Sequence, residues 1–312
     1  MGTDINIKNE KLNCKENFNA AEILSKYKDI KKRTQENQKQ LADLLKRDPS
    51  VENFSAVYTV VQRLLEEERQ NENASSTGKP DNPYVRYIVS KIKKGDVGLE
   101  IGCAQGRLTE YLVKQGYFIV GIDSASSAID VARQRSSNEE WGNKCTFYST
   151  DARDLKTFKS SFFDFAISTE VIEHLGFPGF VLHMDQLNRI LKIGGKYFVT
   201  CPSALISGTE GDLHIRMYYF RELYDLARIQ GFRINLIINY RNKYFFTIPS
   251  VCNRLIILYE SILRFTRLNY LLNKLKLTVL CLPMTVIFTR THDNEKAAEN
   301  RTLMIQKGFY ID

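Results

Sequence analysis

Over the first eighty positions apolar residues recur at helical spacing: Ala20, Ile23, Leu24 and Tyr27, then Leu41, Leu44 and Leu45, then Phe54, Val57, Tyr58, Val61, Leu64 and Leu65. This pattern predicts two or three amphipathic helices, with Asp48-Pro49-Ser50 breaking the second from the third. The basic run 28–39 reads as a solvated helix face. A polar linker over 73–82, punctuated by Gly78, Pro80 and Pro83, closes this extension.

From Tyr84 the pattern changes to short apolar runs alternating with helical segments. Strands are predicted over 97–101, 118–122, 146–149, 163–168 and 196–201, with helices over 85–92, 107–115, 126–136 and 181–191. A helix over 220–230 then leads through Gly231 to a strand over 233–239, and 284–290 reads as the final strand. Such alternation implies parallel βαβ crossovers with helices on both faces of the sheet. The expected fold is α/β: a Rossmann-like, doubly wound, seven-stranded sheet with a helical N-terminal extension (1–80). A helical insertion (244–282) precedes the last strand of the 81–291 domain, and 292–312 forms a C-terminal tail.

Composition narrows the setting. A hydrophobic fraction of 43% supports a real core in a chain of 312 residues. The net charge of +8 favours anionic company without choosing among nucleic acid, phosphorylated metabolites and an acidic membrane surface. Six cysteines with no CxxC pair argue against a zinc knuckle or a redox pair and fit a reducing, cytoplasmic setting. No apolar leader opens the chain, and no stretch reaches the roughly 18 apolar residues of a membrane span.

The strongest chemical signal is Gly98-Leu-Glu-Ile-Gly-Cys-Ala-Gln-Gly-Arg107, at the junction of the first strand and a helix. Gly102 and Gly106 allow close backbone approach to a ligand, and the helix that follows presents free N–H groups. Glu100 offers a carboxylate that acts on a ligand's amino end through surrounding groups. Asp123, ending the second strand, offers one able to accept both hydroxyls of a ribose. The bland alternative is a tight strand–helix turn with a helix cap at Asp123. The Gly-x-Gly-x-x-Gly register of a dinucleotide oxidoreductase is absent, since positions 104 and 107 are Ala and Arg.

In these motifs the chain resembles the class I S-adenosylmethionine-dependent methyltransferases, of the broad group that includes ubiquinone-biosynthesis O-methyltransferases. Glu100-Ile-Gly-Cys-Ala-Gln-Gly106 resembles the family's first motif, with Ala104 where glycine is common. Ser149-Thr-Asp-Ala-Arg153 resembles the adenine-edge motif. Phe163-Asp-Phe-Ala-Ile-Ser-Thr-Glu-Val-Ile-Glu-His-Leu175 resembles the fourth-strand motif beside the methyl donor, and Leu191-Lys-Ile-Gly-Gly-Lys-Tyr-Phe-Val-Thr200 the glycine turn into the fifth strand. The resemblance runs from about Asn82 to Thr291 and leaves out 1–80. It implies S-adenosylmethionine as cofactor, contacted by Glu100, Gly102, Ala104, Gly106, Asp123, Ser124, Asp151, Ala152 and Thr169.

For a hydroxyl acceptor the protein must also remove a proton. His174, just past the fourth strand, is the first candidate base and His214 the second; alternatively, His174 only orients its loop. Glu170, Glu173 and His174 stand at i, i+3 and i+4, so one helical face with His214 would form a metal-binding set. That set resembles the metal-dependent methyltransferases of small-RNA 3′ ends, though the same Glu-Val-Ile-Glu-His string occurs in metal-free relatives. The favoured expectation is metal-free O-methylation of a small-molecule, glycan or lipid-linked acceptor. RNA 2′-O-methylation and a non-catalytic interaction scaffold are the alternatives. In 244–282, leucines and isoleucines interleave with Arg254, Arg264, Arg267, Lys274 and Lys276. This reads as a cap on the domain, a dimer interface or a peripheral membrane contact.

Overall fold

The computed structural model describes residues 83–137, 139–206, 214–240, 244–278 and 284–294. The helices expected over 1–80 and the tail from 295 lie outside the described residues. The first half of the domain is a run of βα units. α1 (Pro83–Val89) leads into β1 (Val97–Ile101), α2 (Arg107–Lys114), β2 (Phe118–Asp123), α3 (Ser126–Ser137) and β3 (Cys145–Ser149). β4 (Phe163–Thr169), α4 (Gly176–Ile190) and β5 (Leu191–Cys201) complete it. These five strands pair in parallel. Past α5 (Phe220–Ile229), β6 (Phe232–Tyr240) and β7 (Tyr244–Thr247) form an antiparallel pair. β8 (Met284–Arg290) then inserts antiparallel between β5 and β6. The sheet order is β3-β2-β1-β4-β5-β8-β6-β7.

Side-chain alternation builds two cores, one on each face. Tyr197 and Val199 of β5 and Val286 and Phe288 of β8 join Phe180, Met184 and Leu187 of α4 and Leu223 and Leu226 of α5. On the other face Phe165, Ile167, Phe198 and Ile287 pack with Val85 and Ile88 of α1 and Leu112 and Val113 of α2. The doubly wound α/β architecture expected from the sequence is therefore present.

Two expectations need correction. The sheet has eight strands where seven were expected, because Tyr244-Phe-Phe-Thr247 pairs with β6 instead of opening a helical insertion. Its alternation sends Phe245 inward, with ring centroids 5.9 Å from Tyr84 and 5.7 Å from Tyr87. The helical part of the insertion is α6 (Asn253–Thr266) and α7 (Leu268–Lys274). Leu263 and Leu272 join the main core, and polar contacts reinforce the attachment. Glu260, 1% exposed, accepts the backbone N–H groups of Phe220 (2.6 Å) and Arg221 (3.0 Å), the free donors that open α5. Arg264 lies 3.9 Å over the Tyr219 ring, and Asn273 donates to the Leu205 carbonyl at 2.9 Å. Among the described residues no helix is long and apolar enough to cross a membrane.

Candidate functional site

The carboxyl ends of β1, β2 and β4 open into a cleft of about 420 Å³, partly open to solvent. Its floor is the turn after β1. Gly102 has φ +73°, and a Cβ there would stand 2.6 Å from Val171 Cγ2. Gly106 has the same φ, and its added Cβ would stand 2.7 Å from Phe147 Cζ. Ala104 adopts φ 45°, a conformation that costs a non-glycine residue energy. An ordered hydrogen bond offsets that cost, because the Ala104 N–H donates to Asp123 Oδ2 at 2.9 Å.

Asp123 thereby holds the turn as well as facing the cleft. Its Oδ1 accepts the Ala125 N–H at 2.9 Å. Burial raises its carboxyl above the ordinary range, and the amides of Ala125, Ala104 and Ser124 pull it partway back. Glu100 lies beneath the turn at 6% exposure, with Thr109 Oγ1 donating to its Oε2. Desolvation pushes this carboxyl up to about 8, with the hydrogen bonds at Thr109 opposing and Asp123 adding repulsion.

On the opposite wall Thr150, Asp151 and Ala152 follow β3. Arg153 holds the Asp151 carboxylate, with Nε on Oδ1 and Nη2 on Oδ2, both at 2.8 Å. The Ala152 carbonyl accepts from His183 Nδ1 at 2.7 Å, so His183 Nε2 accepts from Tyr197 Oη at 3.0 Å. Tyr197 Oη is also 2.7 Å from Ser168 Oγ. Burial lowers His183 to about 4, which keeps the ring neutral, and this buried chain fixes the wall to the sheet.

The third wall is Val171, His174 and Leu175. Glu173 is fully buried beside it, and neither of its oxygens has a hydrogen-bond partner. His174 Nε2 and His214 Nε2 each lie 3.9 Å from Glu173 Oε1, and the two imidazole centroids are 5.2 Å apart. Desolvation first, then the charge of Glu170, pushes Glu173 up to about 9. The candidate ligand atoms of Glu173, His174 and His214 all lie within 4.8 Å of one another.

Of the residues singled out in the sequence, Gly102, Asp123, Ser124, Asp151, Ala152 and His174 line the cleft together. Glu100, Ala104 and Gly106 stand behind it, forming and supporting the turn. Thr169 is the last residue of β4, opposite Thr200, and does not line the cleft. The single helical face expected for Glu170, Glu173 and His174 is absent. Glu170 follows the end of β4 at φ 55°, and only a short 3₁₀ turn, Ile172–His174, comes after it, so Glu170 stays outside the three-residue cluster. Sequence reasoning missed Thr109, Arg153 and His183, which act through buried pairing. Val171 and Leu175 were within reach, since both flank His174 in the quoted motif.

Residues 99–199 match the family described as "Methyltransferase domain". The ubiquinone biosynthesis O-methyltransferase of Coxiella burnetii is 30% identical over 119 residues, covering 38% of this chain and 49% of that protein. The protein of the same name from Nitrosococcus oceani is 32% identical over 100 residues, covering 32% and 41%. The chain thus spans about half the length, or less, of these relatives. The solved structure of the (4+2) cyclase SpnF superposes with a TM-score of 0.52 at 16% identity, covering 77% of this chain and 97% of that one, a likeness of fold.

Proposed function

We propose that this chain, whose core is a class I S-adenosylmethionine-dependent methyltransferase domain, methylates a hydroxyl of a small-molecule, glycan or lipid-linked acceptor and uses His174 to take the proton. The observation that carries the reading is the position of His174, which lines the donor cleft while its Nε2 faces Glu173 and the His214 ring.

The cleft suits the donor. The turn at Gly102 leaves no side chain on the floor, Asp123 presents its carboxylate to the cleft for the ribose, and Asp151 and Ala152 offer an acidic group and an amide for the adenine edge. When bound, S-adenosylmethionine supplies a sulfonium methyl open to direct displacement. The chain's own residues align the acceptor oxygen and hold its proton. A proton arriving on His174 creates a cation 3.9 Å from Glu173 Oε1, which favours the ionised form of that carboxyl and steadies the imidazolium. His214, at the same distance, lets the charge spread over three groups.

The test is His174→Ala, assayed with labelled donor against fractionated lipid, glycan, RNA and small-metabolite acceptors. General-base loss lowers turnover by about 100-fold or more, with donor affinity held within a few fold. Unchanged turnover on a hydroxyl acceptor refutes the assignment.

A second reading rests on Glu173. A fully buried carboxyl without hydrogen bonds calls for an explanation, and one carboxylate with two imidazoles is a donor set suited to a transition dication. Glu173, His174 and His214 would hold such an ion, which would polarise the acceptor hydroxyl. RNA 2′-hydroxyls are the acceptor that goes with this reading. Metal binding by calorimetry, lost in Glu173→Gln, together with chelator-sensitive turnover on RNA, supports it. Chelator-insensitive turnover refutes it.

A further inference from the structure

The outer face of the helical insertion departs from the rest of the surface. α5 turns polar side chains outward, with Arg221 paired to Asp225 at 3.7 Å, as a soluble amphipathic helix does. α6 also buries one side, through Asn253, Glu260 and Leu263. Its opposite side is apolar too: Leu255 is 68% exposed, Leu258 58%, Ile262 48% and Phe265 92%. These four follow one another at steps of three, four and three residues, which places them along a single stripe. Leu271 of α7 and Leu275 just after it continue the pattern, both more than half exposed.

Charge decides what this stripe fits. Residues 250–278 contain five basic side chains and one carboxylate, Glu260, which is turned inward onto α5. Arg254, Arg267, Lys274 and Lys276 are exposed around the apolar stripe, with no exposed acid in the segment. An apolar stripe fringed by cations alone is complementary to a surface with an apolar interior and an anionic rim. With 14 residues, α6 is shorter than the roughly 20 needed to span a bilayer, so it lies in the surface plane. α7 is tied to the Leu205 carbonyl, just past the carboxyl end of β5, on the sheet edge where the cleft opens.

We infer that α6 and α7 dock this chain on an anionic lipid surface, with Leu255, Leu258, Ile262 and Phe265 seated among the acyl chains and the flanking Arg and Lys on the headgroups. The docking is independent of methyl transfer, and its failure leaves the function proposed above untouched.

The test uses the full chain, without donor, co-sedimented with vesicles of phosphatidylcholine alone or with about one-third phosphatidylglycerol. Binding is expected on the anionic vesicles, weakened at high salt, and at least about tenfold stronger than on the neutral ones. Leu258→Glu with Phe265→Glu removes it while donor-induced thermal stabilisation is retained, which shows that the variant is folded. Phe265→Trp keeps it. Equal sedimentation with both vesicle types, or none, overturns the proposal. So does a wild-type dimer that the double glutamate variant converts to monomer, since the stripe is then a self-association face.

Discussion

Replacing Glu100 by glutamine isolates the electrostatic cost of the acid under the glycine turn. Its carboxyl is pushed from the ordinary 4.5 up to about 8, chiefly by desolvation. At 1.36 kcal/mol per pH unit that is about 5 kcal/mol against ionising it in the fold. In the unfolded chain Glu100 loses its proton near pH 4.5, whereas in the folded chain it keeps the proton until about pH 8. The unfolded state therefore binds fewer protons across this window, and Glu100 makes stability fall as pH rises. Glutamine retains an oxygen to accept from Thr109 and has nothing to ionise. Urea unfolding of the donor-free protein from pH 5 to pH 8 should show Glu100→Gln gaining about 4 kcal/mol on the wild type. Taking the difference cancels Glu173 and every other shared group. Curves that stay parallel within about 1 kcal/mol would refute the assignment of a buried, neutral Glu100.

Gly102→Ala combines a left-handed φ of +73° with a Cβ 2.6 Å from Val171 Cγ2, so it should cost about 1–3 kcal/mol and abolish donor-induced thermal stabilisation. His183→Phe strips the Ala152 carbonyl and Tyr197 of their partner. A loss of about 1–3 kcal/mol in urea unfolding is expected, with a raised donor KM and little change in kcat, since His183 does not line the cleft. Glu260→Ala uncaps the first turn of α5. It should cost about 1–2 kcal/mol and speed proteolysis within residues 250–278, read by mass spectrometry of early fragments.

The sequence made the parallel half of the sheet legible because its strands are apolar runs set off by turn residues: β1 falls on its expected bounds, and β2, β3 and β4 lie within one residue of theirs. The periodicity predicts a helix from 181, whereas α4 begins five residues earlier, across Gly176-Phe-Pro-Gly179. In the fold Pro178 sits in the first helical turn, where a missing N–H removes no helical bond. β7 escaped notice because Tyr244-Phe-Phe-Thr247 is too short and aromatic to reveal a period by itself; its partner on β6 decides its state. In the site, motif order located the cleft, but pairing across the fold stayed hidden. Nothing in local spacing says that Asp151 is gripped by Arg153, that Ala104 leans on Asp123, or that Glu173 is left without a hydrogen bond.

The position of β8 has a consequence for biogenesis. In the sheet, β5 and β6 are bridged by this last strand, which pairs with both and runs against them. About ninety residues separate the end of β5 from the end of β8, some 5–20 s of synthesis at about 5–20 residues per second. Until β8 is made, the β5 edge over Lys196–Cys201 and, once synthesised, the β6 edge over Phe232–Leu236 stay open to any chain nearby. A message cut short before Met284 would thus yield two unbridged strand groups and a holdase or protease client, not a smaller folded domain.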